Sequence, residues 1–262
     1  MDYISYNRKA WDQEVENNSL WTQPVSKEVI EDARNGKWEI SLTPAKSVPR
    51  DWFPPSLINK KVLCLASGGG QQGPILAAAG ADVTTFDISP KQLSQDRFVA
   101  ERDNLVIRTE LGDMKDLSRF GNEYFDLVFH PISNCFIDDV LPVWQEAYRV
   151  LKKNGILLAG VSNPIQFIFD LKAWNSGELI IRHKIPYSDL KDLTEDEIKE
   201  LIIDQNEAVC FGHTLHDQIQ GQIDAGFLLA GFYEDNSQGG GPLDPYIDTF
   251  IATKAIKNCG SY

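Results

Sequence analysis

The sequence predicts an α/β protein built on a doubly wound, mostly parallel sheet of seven strands. Short apolar segments alternate with helical segments between residues 57 and 160, which is typical of a parallel sheet. A glycine-rich turn follows the first apolar segment directly. The last two apolar segments are joined without a helix, which indicates an antiparallel strand pair at the C-terminal end of the sheet.

The individual elements follow from apolar patterning and from helix start and stop residues. Strands are predicted at 61–66, 82–87, 105–109, 125–130, 155–161, 227–234 and 246–254. Helices are predicted within 6–17 and at about 71–79, 90–101, 139–152 and 213–225. Gly80 is placed to end one helix, and Ser89 is placed to cap the next, with Pro90 in its first turn. Asn154 and Gly155 are expected to end the helix before the fifth strand.

Two segments lie outside the alternating pattern. Residues 1–56 are rich in tryptophan and interrupted by proline, and we interpret them as an N-terminal cap. Residues 57–262 are expected to form the sheet domain, with an insertion at about 161–212 that contains the charged, helix-like stretch Leu190–Glu207. The insertion is expected to fold over the edge of the sheet.

Composition limits the classes of partner. The chain has 262 residues and a formal net charge of -13, which argues against nucleic-acid phosphate or an anionic membrane surface as a partner. Its four cysteines, at 64, 135, 210 and 259, form no C-x-x-C pair, so neither a metal site nor a disulfide framework is expected. The sequence has no recognisable leader and no apolar run long enough to cross a bilayer, so a cytoplasmic location is expected. The oligomeric state stays open.

The first apolar segment leads into a ligand-binding pattern. Residues 62–65 are followed by Gly68-x-Gly70-x-x-Gly73 and then by a helix. Glycines let a backbone approach a ligand closely, and a helix N-terminus directs free N–H groups toward it. Asp87 ends the second strand, where an acid can hold ribose hydroxyls. The pattern suits either a dinucleotide or S-adenosylmethionine.

Two later segments follow strand ends at the same edge of the sheet. Asp113 comes after the third strand and can accept a hydrogen bond from an exocyclic amine, with Met114 against a purine face. The polar loop 131–136 follows the fourth strand, at the edge where open α/β sheets bind ligands. These positions favour an adenosine-containing ligand.

With these motifs the sequence resembles the class I S-adenosylmethionine-dependent methyltransferases, in particular the small-molecule, type-11-like group. The resemblance covers residues 57–160 by motif and 213–254 by architecture, and Glu146–Leu157 matches the family's approach to its fifth strand. It implies a Rossmann-like methyltransferase fold, S-adenosylmethionine as the cofactor and methyl transfer to a small-molecule acceptor.

The resemblance also implies roles for individual residues. The glycine-rich loop would wrap the methionine part of the cofactor, Asp87 would bind the ribose and Asp113 the adenine amine. The implied cofactor-binding set is Ala66, Ser67, Gly68, Gly69, Gly70, Asp87, Ile88, Asp113, Met114 and His130. Cys64 and Ala66 stand where the family has an acid and its first glycine. Each departure is expected to weaken cofactor binding or to shift the cofactor slightly, without preventing binding.

Further candidates concern the acceptor. The helix that contains Tyr6 and Trp11 resembles the family's lead helix, which closes over the cofactor, although simple packing on the core fits as well. His130, Asn134 and His213 are the candidates for a general base, should the acceptor need one. His213 and His216 lie three residues apart on a predicted helix, but no third metal ligand is evident. The cap and the insertion are expected to form a partly apolar acceptor pocket.

Two alternatives stay open at this point. A nicotinamide-dependent oxidoreductase fits the pattern Gly68–Gly73 and Asp87, but it leaves Asp113 and Met114 unexplained and lacks a Tyr-x-x-x-Lys pair. A non-catalytic protein that binds S-adenosylmethionine is motivated by Cys64 and Ala66.

Overall fold

The sheet of seven strands lies at the centre of the molecule in a computed structural model that describes residues 1–258. The strands are β1 Lys61–Leu65, β2 Asp82–Asp87, β3 Ile107–Leu111, β4 Phe125–His130, β5 Leu151–Ser162, β6 Tyr187–Ser188, β7 Phe211–Gly212, β8 Phe227–Asp235 and β9 Phe250–Lys257. The main sheet has the order β3-β2-β1-β4-β5-β9-β8, while β6 and β7 form a separate two-stranded ribbon. Strands β1 to β5 are parallel, and β9 pairs antiparallel with both β5 and β8. The predicted fold class is confirmed.

Helices cover both faces of this sheet and build the cap and the insertion. They are α1 Tyr3–Glu16, α2 Lys27–Arg34, α3 Gln72–Ala78, α4 Pro90–Asp103, α5 Leu141–Val150, α6 Leu171–Asn175, α7 Asp189–Asp192, α8 Glu195–Glu197 and α9 Gly221–Asp224. π-Helical turns follow α8 at Ile198–Ile203 and precede α9 at His216–Gln220. Ser89 caps α4 as predicted, since its side chain accepts a hydrogen bond from the N–H of Gln92. Gly80, with φ at +99°, follows the end of α3 as predicted.

Some predicted boundaries differ from the structure. The helix predicted at 139–152 ends at Val150, and β5 already begins at Leu151, which is buried and pairs with Phe125. Residues 152–155 form an irregularity within the strand pair, which explains why Asn154 has a φ of +61°. The helix predicted at 213–225 begins only at His216. Residues 213–215 stay outside it because His213 binds backbone carbonyls of a neighbouring loop.

Two apolar cores fill the faces of the sheet. On one face α5 contributes Trp144, which is fully buried against strand residues such as Phe125 and Leu157. On the other face, cap residues Trp38 and Phe53 pack with α3 against the sheet. The cap therefore completes a core of the sheet domain.

A third apolar cluster joins the cap to the insertion. Its buried members are Leu193, Ile202, Val209 and Phe211. Tyr3 and Tyr6 of α1 pack against them. The amide of Asn7 also donates to the Val209 carbonyl and accepts from the Val209 N–H, at 3.0 and 2.8 Å. The first helix of the cap thus contacts the insertion as well as α4 of the sheet domain.

Three absences concern the described part of the chain. Within residues 1–258, no group of three or more His, Cys, Asp or Glu side chains is arranged to hold a metal ion. Over the same residues, every helix falls short of the length and apolar character that crossing a membrane requires. Cys64, Cys135 and Cys210 are free thiols, and Cys259 lies outside the described residues.

The segment 40–44 of the cap crosses the carboxyl ends of two strands. The carbonyl of Leu42 accepts a hydrogen bond from the N–H of Ile132, just after β4, at 3.3 Å. The same carbonyl lies over Gly160 of β5, where a Cβ atom would clash with the Leu42 oxygen and come within 3.0 Å of its carbonyl carbon. Glycine at 160 therefore lets the cap lie directly on the sheet.

We expect Gly160→Ala to lower the free energy of unfolding by about 1–3 kcal/mol, because the added methyl group displaces the backbone of Leu42. Urea denaturation measures this change. Gly121→Ala is the matched control, since a Cβ atom there meets nothing within 4 Å, and its effect should stay within about 0.5 kcal/mol. Equal effects of the two substitutions would contradict the described contact.

Candidate active site

A cavity of about 600 Å³ opens at the carboxyl ends of the parallel strands, between the sheet and the cap. On the sheet side it is lined by Ala66, Ser67, Gly68, Gln71, Gln72, Ile75, Phe86, Asp87, Ile88, Gln92, Gly112, Asp113 and Met114. On the other sides it is lined by Tyr3, Ile4, Asn7, Trp11, Leu20, Trp21, Val25, residues 39–44, Pro131, Ile132, Ser133, Phe136, Ile137 and Phe250. The cavity lies at the edge where sheets of this kind bind ligands.

The loop after β1 enters the cavity through a strained residue. Ala66 has a φ of +47°, in the left-handed region that costs a non-glycine residue roughly 1–2 kcal/mol. Its N–H donates to the carbonyl of Phe86 at 2.7 Å, which fixes the turn to the end of β2. Gly69 and Gly70 also have positive φ, at +105° and +73°. The loop thus has left-handed backbone at Ala66, the position where the resemblance expects the family's first glycine.

Not all of the predicted loop residues face the cavity. Ala66, Ser67 and Gly68 line it, whereas Gly69 and Gly70 turn toward α4 and the cap. The N–H of Gly69 donates to the carbonyl of Gln92, and the carbonyl of Gly70 accepts from the N–H of Val25, both at 3.0 Å. These two glycines therefore join the loop to its surroundings.

Asp87, at the end of β2, lines the cavity and holds the loop. Its Oδ2 accepts from the N–H of Gly68 at 3.0 Å, and its Oδ1 accepts from the N–H of Ser89 at 2.9 Å. Burial raises the pKa of this carboxyl to about 6, although both hydrogen bonds act in the opposite direction. The pKa of Asp87 therefore lies well above that of an exposed aspartate.

The loop after β3 completes this end of the cavity. Leu111 pairs with Asp87 in the parallel register, so residues 112–114 follow an adjacent strand end. Asp113 lines the cavity, and its Oδ1 accepts from the N–H of Lys115 at 2.9 Å. Met114 and Ile88 add apolar surface. The structure thus brings the predicted ribose and adenine residues to one cavity.

His130, by contrast, lies behind the cavity wall. It has no exposed surface, its Nδ1 lies 2.9 Å from the carbonyl oxygen of Leu65, and its Nε2 lies 2.7 Å from Oδ1 of Asn134. Burial lowers the pKa of His130 and favours the neutral ring. The Asn134 amide continues the chain to Gln218 at 3.2 Å. His130 and Asn134 therefore form a buried polar network.

His213, the third candidate base, also supports the loop after β4 from behind. Its Nε2 lies 2.9 Å from the carbonyl oxygen of Asn134 and 3.0 Å from that of Ile137. The cavity side of this loop is formed by other residues, among them Ile132, Ser133 and Phe136. None of the three candidate bases lies among the residues that line the cavity.

The two predicted lid residues of α1 have different surroundings. Trp11 lines the cavity and packs edge-on against Phe136, with ring centroids 5.1 Å apart. Tyr6 lies outside the cavity, where its hydroxyl donates to the carbonyl of Ile202 at 3.2 Å. Asp12 holds the helix in place, because its carboxylate accepts from the Ser89 hydroxyl at 2.6 Å.

Several cavity residues were not found from the sequence. They include the segment 39–44 and Phe250, which carry no motif and reach the cavity only through long-range packing. Gln71 and Gln72 lie within the pattern Gly68-x-Gly70-x-x-Gly73, and that position was the one available signal. Gln71 donates from its amide to the carbonyls of Leu20 and Gln23 at 3.1 Å, and so ties the loop to the cap.

The sheet order, the glycine-rich loop and the acids after the second and third strands define a Rossmann-like protein of the methyltransferase class. The methyltransferase domain family matches residues 63–159. The uncharacterized methyltransferase YbaJ of Bacillus subtilis (strain 168) is 57% identical over 254 residues, which cover 97% of this chain and 98% of that protein. The chain therefore belongs to the methyltransferase family, and the protein is a transferase enzyme.

More distant relatives share parts of the chain or the fold. Glycine/sarcosine N-methyltransferase of Aphanothece halophytica is 33% identical over 109 residues, covering 40% of this chain and 41% of that protein. The crystal structure of an S-adenosylmethionine dependent methyltransferase from Mesorhizobium loti superposes with a TM-score of 0.60 at 18% identity, covering 79% of this chain and 94% of that chain. The predicted family and activity are confirmed, with S-adenosylmethionine as the cofactor of the family.

Proposed function

We propose that the protein transfers a methyl group from S-adenosylmethionine, held at the ends of β1 to β3, to a small acceptor held beneath the cap. The observation that carries this proposal is one cavity that joins both regions. Asp87 and Asp113 line it on the sheet side, and apolar residues of the cap line it on the other. A volume of about 600 Å³ is within the usual range of small-molecule sites.

The residues at the sheet side fit the cofactor. A Cβ atom on Gly68 would lie 3.1 Å from Oδ2 of Asp87 and 2.7 Å from Cβ of Gln92, so only glycine leaves the loop this close to the acid. In this proposal Asp87 would accept from ribose hydroxyls and Asp113 from the adenine amine, with Ile88 and Met114 as apolar neighbours of the ring. Ala66 to Gly68 would contact the methionine part.

Methyl transfer from S-adenosylmethionine depends more on the alignment of donor and acceptor than on catalytic side chains. S-adenosylmethionine supplies an electrophilic methyl group when bound, so the protein has to orient the acceptor and exclude water. Alignment of this kind is worth roughly 7–11 kcal/mol in well-oriented systems. Trp11, Ile40, Leu42 and Phe136 supply apolar walls for this purpose. The proposal assigns no general base, because the three candidates lie behind the wall.

The negative charge of the cavity lining favours an acceptor that is neutral or cationic. The ionisable side chains that line the cavity include Asp87, Asp113 and Glu39, and no lysine, arginine or histidine occurs among its lining residues within 1–258. Glu39 is exposed, and Ser41, Thr43 and Ser133 add hydroxyl groups to the same region. A small amine or thiol fits this lining. Its uncharged form attacks the methyl group through its own lone pair, S-adenosylhomocysteine leaves, and the extra proton of the methylated product passes to solvent.

Calorimetry tests the cofactor assignment. We expect micromolar binding of S-adenosylmethionine and S-adenosylhomocysteine, with no response to NAD. Asp87→Asn and Asp113→Ala should each weaken binding at least about tenfold, since each removes a hydrogen-bond acceptor for the ligand. Asp116→Ala, an acid of the same loop outside the cavity, is the control and should bind as the wild type does.

Other outcomes would redirect the assignment. Binding of NAD alone would favour an oxidoreductase. Tight cofactor binding without turnover on any acceptor would favour a non-catalytic binding protein. Unchanged affinity in both site variants would reject the placement of the cofactor.

The raised pKa of Asp87 predicts a pH dependence. Ribose hydroxyls donate to the ionised carboxylate, so the affinity for S-adenosylhomocysteine should be full well above the pKa of about 6 and fall as the pH drops through it. The loss approaches about tenfold per pH unit, because one proton competes with the ligand. Titration calorimetry between about pH 5 and 8 measures it. An equally steep loss in Asp87→Asn would show that another group is responsible.

The acceptor class is tested with methyl-labelled S-adenosylmethionine. We expect transfer to small amines or thiols, and a lower kcat/KM for analogues that carry an additional carboxylate, because the cavity lining is acidic. Glu39→Gln should reduce this discrimination, since it removes one of the acids. Preferred methylation of carboxylate-bearing compounds by the wild type would contradict the assignment.

A further inference from the structure

A buried acid that the proposed mechanism does not use lies beneath the glycine-rich loop. Asp96 of α4 has no exposed surface, and neither of its carboxyl oxygens has a hydrogen-bond partner. The Thr85 hydroxyl of β2 is also buried without a partner. Both groups converge on the start of α3, because a Cβ atom on Gly73 would lie 3.1 Å from Oδ1 of Asp96 and 2.8 Å from Oγ1 of Thr85.

The carboxyl group is close to the loop that contacts the cofactor. The N–H groups of Gly69 and Gly70 face it and favour its ionised form, although neither reaches hydrogen-bond geometry. Burial, with the nearby charge of Asp87, nevertheless raises the pKa of Asp96 well above its usual range. An apolar side chain at position 96 would avoid the cost of burying this group.

Cys64 faces the same buried space as Asp96 and Thr85. Cys64 of β1 and Thr85 of β2 are partners in the parallel register and lie on the same face of the sheet. Burial raises the pKa of the Cys64 thiol, and the charge of Asp96 adds to this effect. Position 64 is where the resemblance expects an acid. Position 64 of β1 thus lacks the expected acid, whereas Asp96 of α4 places a carboxyl group in the same buried space.

We propose that Asp96 is a positioning residue that replaces the acid missing at position 64, and that it supports the glycine-rich loop where this loop holds the methionine part of the cofactor. The inference rests on the proposed cofactor site. It also explains the cysteine: a second carboxyl group at position 64 would share a buried space with Asp96 and lie near Asp87, where like charges disfavour each other.

The test compares two ligands that differ in the methionine part. S-adenosylhomocysteine contains the amino-acid group, whereas methylthioadenosine lacks it. In calorimetry we expect Asp96→Asn to weaken binding of the first about tenfold and to leave binding of the second unchanged. Asp87→Asn should weaken both ligands, because both contain the ribose. Asp103→Asn, a buried acid at the end of the same helix, is the control and should change neither.

A swap of the acid gives a second readout. The double variant Cys64→Asp with Asp96→Asn should recover most of the affinity for S-adenosylhomocysteine, since it returns a carboxyl group to the same buried space from β1. A purely structural role of Asp96 would change the melting temperature without this selective loss and rescue. If Asp96→Asn does not fold, the two ligand affinities are compared in Thr85→Val, which removes the hydroxyl group beside Asp96 at nearly constant volume. A selective loss of S-adenosylhomocysteine binding is then expected.

The outcomes separate the inference from the proposed function. A wild-type protein that binds neither ligand rejects the proposed function and the inference with it. A wild-type protein that binds both, with an unchanged ratio of affinities in Asp96→Asn, or in Thr85→Val where that variant decides, rejects the inference alone. Selective loss of S-adenosylhomocysteine binding, restored by the swap, supports it.

Discussion

Asp87 connects three strand ends, and the geometry of the site depends on these connections. Its carboxylate accepts from Gly68 in the loop after β1 and from Ser89 at the start of α4. Its backbone carbonyl accepts from the N–H of Gly112, after β3, at 3.0 Å. One residue thus sets the spacing between the glycine-rich loop, the first turn of α4 and the loop that contains Asp113. The same bonds keep a partly buried carboxyl group at the cavity wall, and its raised pKa follows from that position.

Much of the fold was predictable because its signals are local. The order of strands and helices follows from apolar segments of five to nine residues separated by caps and turns, as with Ser89 and Gly80. The strands predicted at 105–109 and 246–254 are displaced to Ile107–Leu111 and Phe250–Lys257. Two further errors occurred where local and long-range effects compete. At 150–155 a helical pattern continues into residues that pair with β4, and at 213–215 the side chain of His213 binds carbonyls of another loop. Sequence spacing does not reveal such contacts.

The residues of the candidate site also divide into those that local sequence signals predict and those that depend on long-range contacts. Ala66 to Gly68, Asp87 and Asp113 were found from the sequence because their position relative to a strand end fixes their place in space. His130, Asn134 and His213 have side chains suitable for a general base, but no sequence pattern indicates that they lie outside the cavity. The segment 39–44 has no recognisable motif, and it reaches the site through the contact of Leu42 with Gly160. Polar residues on loops were therefore the least predictable part.

The packing of the cap has a consequence for folding cooperativity. Trp38, Trp52 and Phe53 belong to the same apolar core as β1, β4 and α3, although the sequence pattern separates them from the sheet domain. A chain cut near residue 56 would expose one face of the sheet to water, so neither fragment would keep a complete core. Cap and sheet should melt in one transition. A ligand bound between them would then raise the melting temperature of the whole molecule rather than that of one part.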